Sequence, residues 1–356
     1  MLPKRGLRKR TGSSLSAITA FATEHPSGVL TRIGGCLTLA AVPPSTEEPP
    51  LKNTGSNPSP GREGVIVAHL GVAVEVRFDD GEQARVRVKR NSGHVVGDGV
   101  TVCDEVLQRH PRRSELRRRD TRGGVHLVGA NLDVLGIVVA PIPAPPAGFL
   151  DRAIVAARSA GLHPFVVVNK GDLPGAAELL EDLRNCYGTD LPIFPLSAAR
   201  RQGFEPLRLY FAQGHRGAFV GTTGVGKSSL LNVLCPEIDL RVGEISDYGL
   251  GRHTTTVSTL NALEKGGELI DTPGFRDFGL VDISTDDLSL HFPGFETLGE
   301  NTCRFRNCRH RSEPGCAVAE LVARGTVPAD RYAAYLEILN EVESDEETSR
   351  RRDWKK

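Results

Sequence analysis

The stretch Gly221-Thr222-Thr223-Gly224-Val225-Gly226-Lys227-Ser228 constrains the fold more than any other part of the sequence. It fits G-x-x-x-x-G-K-[ST], follows the apolar Gly217-Ala218-Phe219-Val220 and runs into Ser229-Leu230-Leu231-Asn232-Val233-Leu234. The spacing therefore predicts a strand, a loop and a helix in succession, the context in which this motif cradles phosphate. Glycines let successive backbone N–H groups point inward, and the helix N-terminus adds positive potential. Lys227 is placed to reach the β- and γ-phosphates of a nucleotide, and Ser228 to offer its hydroxyl to Mg²⁺. A glycine-rich turn with a chance Lys-Ser is the bland alternative, and the flanking apolar pattern argues against it.

A chain of 356 residues predicts two or three domains. Its formal net charge is zero, which excludes an overall polycation, but the charge is unevenly placed. Lys4 to Arg10 is basic, Arg109 to Arg122 holds seven arginines, and the chain ends Arg350-Arg351-Arg352-Asp353-Trp354-Lys355-Lys356. Any one run fits a solvated surface; together they favour an anionic polymer as partner. Seven cysteines, four of them (Cys36, Cys103, Cys186, Cys235) scattered without pattern, argue against a disulfide framework and for a reducing compartment, the cytoplasm. No apolar run is long enough to span a bilayer, so no membrane partner is expected. Ala20-Phe21-Ala22 resembles a small-residue cleavage site, but Ser13, Ser14, Ser16 and Thr19 make the preceding segment too polar for a convincing signal peptide.

Residues 1–62, rich in Pro, Ser, Thr and Gly, are expected to form a mobile leader, parts of which, such as Val29 to Ile33, have the composition of a short strand. From Val65 to Val102 the period becomes two. Val72, Val74, Val76 and Phe78 alternate with Ala73, Glu75 and Arg77; Asp79-Asp80-Gly81 supplies a turn; Ala84, Val86 and Val88 follow. Residues 63–118 thus predict a small antiparallel OB-like barrel whose outer face, carrying Arg77, Arg85, Arg87 and Lys89, suits nucleic acid, although a merely solvated face would alternate in the same way. Arg109 to Arg122 reads as a linker. Beyond it, a strand over 132–139, a helix over 149–160 and a strand over 164–168 predict a parallel α/β sheet, whose ligands bind at the carboxyl ends of the strands.

At the end of that second strand stands Asn169-Lys170-Gly171-Asp172. A carboxylate at Asp172 can accept from guanine N1–H and the 2-amino group together, a pair adenine lacks. Asn169 is expected to face the N7/O6 edge and Lys170 to lie along the ring plane. Ser197-Ala198, after the strand-like 192–196, is a weaker base-side motif. Downstream of the phosphate loop, Gly251-Arg252-His253-Thr254-Thr255-Thr256 offers hydroxyls for Mg²⁺ and the γ-phosphate, and Asp271-Thr272-Pro273-Gly274 is D-x-x-G, with Asp271 binding Mg²⁺ through water and the Gly274 N–H sensing the γ-phosphate. Phe275 stands where a Gln would orient the attacking water, so intrinsic hydrolysis is expected to be slow. His253 is the in-chain candidate for that task, a switch-packing or RNA-contacting role being the alternative. Finally, Cys303, Cys308, His310 and Cys316 form C-x₄-C-x-H-x₅-C, a complete set for one structural zinc with no open position, interleaved with Arg304, Arg306, Arg309 and Arg311. Helices are expected over 317–324 and 329–344, and a disordered tail from Asp345 onward.

Base-side motifs preceding phosphate motifs, behind a β-barrel, resemble the circularly permuted GTPases, in particular the ribosome small subunit-dependent GTPase A family; the likeness spans roughly residues 63–345. It implies a leader (1–62), an OB-fold RNA-binding domain (63–118), a permuted GTPase domain (119–290), a zinc-knuckle helical domain (291–345) and a basic tail (346–356). It further implies hydrolysis of GTP to GDP with Mg²⁺, with Lys227, Ser228, Asp271 and Gly274 in the phosphate chemistry. Asn169, Lys170, Gly171, Asp172, Ser197, Ala198, Gly221 to Ser229, Thr254 and Thr255 would bind the nucleotide, as a monomer acting on the small ribosomal subunit and 16S rRNA late in its maturation. A nucleic-acid-dependent ATPase or nucleotide kinase, and an RNA-binding protein with a vestigial nucleotide site, are the competing possibilities.

Overall fold

The computed structural model describes residues 61–104, 106–119, 124–188, 191–236, 258–271, 280–281, 283–296, 298 and 302–353. Their first part is antiparallel: β1 (Arg62–His69), β2 (Ala73–Phe78), β3 (Gln83–Arg87), β4 (Gly99–Cys103) and β5 (Val106–Arg109) pair in the order β3-β2-β1-β4-β5. The period-two pattern explains this sheet, because Ile66, Val74, Val76, Phe78, Val86 and Val100 meet on one face as a core of their own. The opposite face differs from expectation. Arg77 is turned to Glu268, Arg85 to Glu75, and Arg62 to Asp80 and Glu82; Arg87 and Lys89 are exposed. Much of this basic face is thus already matched by carboxylates of the chain itself.

Nor is the arginine-rich stretch a linker. It holds the end of β5 and then β6 (Glu115–Arg119), which pairs with β7 (Val125–Ala130) in a separate hairpin. Between them Arg112 turns inward, its Nε 2.6 Å and its second terminal nitrogen 2.9 Å from the two oxygens of the fully buried Asp98. A bidentate pair of this kind is retained in an interior because every donor of the guanidinium fork finds an acceptor; Gly93 O and Glu115 take others.

The α/β part comprises β8 (Val134–Val139), α1 (Phe149–Ser159), β9 (His163–Val168), α2 (Ala176–Tyr187), β10 (Ile193–Pro195), α3 (Glu205–Phe211), β11 (Arg216–Val220), α4 (Lys227–Leu234), β12 (Thr259–Ala262) and β13 (Glu268–Asp271). The order β10-β9-β8-β11-β13-β12 is parallel except for β12. All six residues of β8 are buried, as a strand covered on both faces requires. Two apolar layers flank it: Leu135, Ile137, Val139, Ile154 and Val166 on one side, Val134, Val138, Phe165, Phe211 and Phe219 on the other. The strand entering the phosphate loop, β11, lies between β8 and β13, although β9 and β10 come between β8 and β11 in chain order.

The antiparallel β1–β5 sheet and the α/β sheet are continuous. Ala68 of β1 pairs with Thr259 of β12, and Glu268 at the start of β13 is shared by Arg77 of β2 and Arg216 of β11. The last part packs against α1 and consists of α5 (Leu288–His291), α6 (Ala317–Ala323) and α7 (Ala329–Asp353) around Phe292, Phe295, Tyr335, Ile338 and Leu339. Arg331 of α7 reaches into the α/β part: it donates to Cys186 O at 2.6 Å, lies 4.3 Å from the Tyr187 ring centre and 3.6 Å from Asp151, to which the Tyr187 hydroxyl also donates. The tail expected to be disordered from Asp345 is instead helical to Asp353. Glu346 accepts from the Thr285 N–H, and i,i+4 pairs Glu346–Arg350 and Glu347–Arg351 support an otherwise polar helix.

Candidate active site and metal centre

Four motifs that are far apart in sequence meet at one end of the same sheet. Asn169 follows β9, Ser197 follows β10, Gly221 follows β11 and Asp271 closes β13, all at carboxyl ends. The phosphate loop runs directly into α4, with Gly226 as the residue before its first turn. Gly226 has φ of 96°, and a Cβ there would fall 2.4 Å from Nδ2 of Asn169, so this position needs glycine for both conformation and space. Lys227 curls over the loop, its ammonium 2.6 Å from Gly221 O and 3.0 Å from Thr222 O. Ser228 is exposed at the helix start, beside Ser229.

Asn169 has partners within the chain on both sides of its amide. Only 2% exposed, it donates to Val225 O at 2.9 Å and accepts from the Ala198 N–H at 3.0 Å. One amide thus ties the base-side loop, the Ser197-Ala198 loop and the phosphate loop together. Lys170, at φ of 59°, donates to Ile142 O at 2.7 Å, while Gly171 N–H bonds Leu196 O. Asp172 accepts from the Ser197 hydroxyl at 2.5 Å, which holds its carboxyl below the usual range and leaves it ionised at neutral pH, with Arg200 at 4.0 Å. The Ser197–Gln202 turn is fixed by reciprocal backbone bonds.

The segment after β8 was missed by sequence reasoning. Pro141, Ile142 and Pro143 wall the site between the two loops: Pro143 stands 3.6 Å from where a Cβ on Gly224 would be, and Ile142 supplies the carbonyl for Lys170. Its prolines mark it as a loop and carry no chemical signal of their own. Gly274, His253, Thr254 and Thr255 lie outside the described residues.

Asp271 fits a cation. It is 7% exposed, no described residue donates to its carboxylate, and burial pushes its pKa up to about 6. A buried carboxylate in that condition would be stabilised by a bound divalent ion.

The Cys303, Cys308, His310 and Cys316 ligand atoms lie within 4.8 Å of one another. Tetrahedral zinc, with Zn–S of about 2.3 Å and Zn–N of about 2.0–2.1 Å, requires S···N edges of roughly 3.6 Å. Nδ1 of His310 is 3.5 Å from Sγ of both Cys303 and Cys316, so the donor set fits. Around it the Glu313 carboxylate accepts from the N–H groups of Arg309 and Arg311, and Tyr332 donates to His310 O and Arg311 O. Burial pushes the Cys308 thiol up to about 12, so it keeps its proton unless a cation draws it off. Of the interleaved arginines, Arg309 pairs with Asp286 and Arg311 with Glu343.

The strand order and the converging motifs define a P-loop guanine-nucleotide fold with base-side elements placed before phosphate elements. The RsgA GTPase family model matches residues 109–281. A small ribosomal subunit biogenesis GTPase RsgA of Pseudomonas syringae pv. tomato is 40% identical over 306 residues, covering 82% of this chain and 89% of that protein. The protein of the same description from Pseudomonas aeruginosa (strain UCBPP-PA14) is 41% identical over 296 residues, covering 80% and 87%. Among solved structures, YjeQ from Thermotoga maritima matches with TM-score 0.64 and 29% identity over 79% of this chain and 98% of its own. YloQ, a circularly permuted GTPase, matches in fold with TM-score 0.63 and 24% identity over 82% and 98%. The chain belongs to the RsgA GTPase family and is a GTP-hydrolysing enzyme. No helix among the described residues is long and apolar enough to cross a membrane.

Proposed function

We propose that this GTPase binds the small ribosomal subunit and its 16S rRNA as a cytoplasmic monomer, assists late maturation of the subunit, and leaves after subunit-stimulated hydrolysis. The observation that carries the reading is the convergence of Asp172, Lys227 and Asp271 on one sheet edge in a chain about 40% identical, over four fifths of its length, to small ribosomal subunit biogenesis GTPases. The β1–β5 barrel is taken as an OB-type RNA-binding domain and the Cys₃His centre as a structural zinc site in an RNA-contacting module.

The Asp172 carboxylate, kept ionised by the Ser197 hydroxyl, accepts from the guanine N1–H and amino group. Asn169 holds the loops that position base and phosphates relative to each other. Lys227 exchanges its carbonyl partners for the β- and γ-phosphates, and the loop N–H groups at α4 stabilise charge developing there. Ser228 and Asp271 would hold Mg²⁺, which would supply further charge neutralisation. Thr254, Thr255 and the Gly274 N–H sense the γ-phosphate, with His253 the candidate to position water. Because Thr259 of β12 follows that switch segment and pairs with barrel strand β1, RNA binding at the barrel has a direct structural route to hydrolysis.

Co-sedimentation with isolated small subunits tests this. Binding with a non-hydrolysable GTP analogue that is lost with GDP supports the reading; equal retention in both nucleotide states, or binding to large subunits only, overturns it.

A further inference from the structure

We propose that the cavity between the zinc-knuckle loop and α5 captures a single unstacked RNA base, with Phe305 as its stacking platform. This rests on the RNA-binding reading above and names the place and form of one contact.

The cavity measures about 420 Å³, far more than a metal ion occupies and within the range that takes a small organic ring. The knuckle loop contributes one wall through Phe305, Arg306 and Asn307, α5 the other through Ser289 and Leu290, and Cys303, Cys308 and His310 of the metal centre also line it. Two large apolar side chains remain open here, Phe305 at 42% and Leu290 at 66%. Neither belongs to the core built around Phe292, Phe295 and Tyr335, although Phe295 reaches the cavity from that core.

Charge selects the occupant. Arg309 and Arg311 are paired within the chain, but among the described residues no carboxylate lies within ion-pair distance of Arg304 or Arg306. The Arg304 guanidinium sits 5.5 Å from the Phe305 ring centre, and Arg306 lies on the cavity rim. An aromatic face flanked by unpaired guanidinium groups suits a base with its phosphates, since unpaired bases of RNA stack on aromatic and Arg planes. Two acids also line the cavity, Asp286 and Glu296, held respectively by Arg309 and Arg158. They and the Asn307 amide are acceptors for exocyclic amino and ring N–H groups. A purely apolar peptide would leave all of these groups unmatched.

The test uses the full-length zinc-loaded protein and a short single-stranded oligoribonucleotide carrying 2-aminopurine, whose fluorescence falls on stacking. Quenching on binding is expected. Phe305→Ala should abolish the quenching and weaken binding about 5- to 150-fold, the equivalent of one base stack of about 1–3 kcal/mol. Phe305→Trp should restore both, while zinc content and circular dichroism stay at parent values. Unchanged RNA affinity and quenching in a folded, zinc-loaded Phe305→Ala protein overturns the proposal, as does an apolar Phe-Leu peptide whose binding needs Phe305 while RNA binding does not. GTP turnover with small subunits, measured on the same preparations, separates the two levels. A parent protein that small subunits fail to stimulate contradicts the functional reading, whereas a stimulated parent with a Phe305→Ala variant of equal RNA affinity contradicts the pocket alone.

Discussion

Replacing Asn169 by Ala should disable the site without touching any group that reacts. The amide is almost fully buried and satisfies two equally buried backbone groups, the Val225 carbonyl and the Ala198 N–H. Leaving a buried polar group unsatisfied costs about 1–3 kcal/mol, so the two together give about 2–6 kcal/mol, divided between folding stability and nucleotide affinity. At the lower bound this is roughly a 30-fold effect if it falls wholly on affinity. Asn169→Asp keeps the acceptor for Ala198 and loses the donor to Val225, so it should show an intermediate loss plus repulsion of a carboxylate from the Val225 carbonyl. Thermal unfolding with and without GDP, combined with titration of a fluorescent guanine nucleotide, reads both components. An Asn169→Ala protein whose melting temperature and nucleotide affinity both match the parent would refute the clamp.

Three further outcomes follow from the same geometry. Asp172→Asn should abolish the preference for GTP over ATP in competition binding while leaving the melting temperature of the free protein nearly unchanged. For Asp271, burial raises the pKa to about 6 from 3.8. A carboxyl whose folded-state pKa is raised contributes stability that is present below its unfolded value and lost as pH rises through about 6. Asp271→Asn should therefore stabilise the Mg²⁺-free protein at neutral pH, by up to about 3 kcal/mol, and flatten its stability between roughly pH 4 and 6 while eliminating Mg²⁺-dependent turnover; denaturant titrations across that window check it. Cys316→Ser, or chelation of the parent protein, should release one zinc per chain in a colorimetric metal assay and loosen α6 and α7, read as faster amide exchange there than in β8 and β9.

Much of the site is legible in the residues because its chemistry is local. Gly221 to Ser228, Asn169 to Asp172 and the Cys₃His set each hold their donors within a few positions, and the buried β8 and β9 announce a parallel sheet by their unbroken apolar runs. What escaped depends on partners distant in sequence. Arg112 looks like a solvated or RNA-facing cation until the turn at Gly97 brings Asp98 beneath it, and Arg77 until β13 places Glu268 opposite. Asn169 acts on Val225 and Ala198, both far away in the chain, so its clamping role follows only from the strand order β10-β9-β8-β11, which brings the three loops to one end of the sheet. The extension of α7 to Asp353 was hidden for a different reason: its last turns have no apolar face, and i,i+4 ion pairs with the Glu346–Thr285 bond replace it.

GTP turnover by the purified protein, alone and with isolated small ribosomal subunits, tests the central claim most directly, with ATP and large subunits as controls. A low basal rate that rises strongly only with GTP and small subunits is the predicted result, slow by itself because Phe275 cannot orient water. Turnover that small subunits leave unchanged would contradict it.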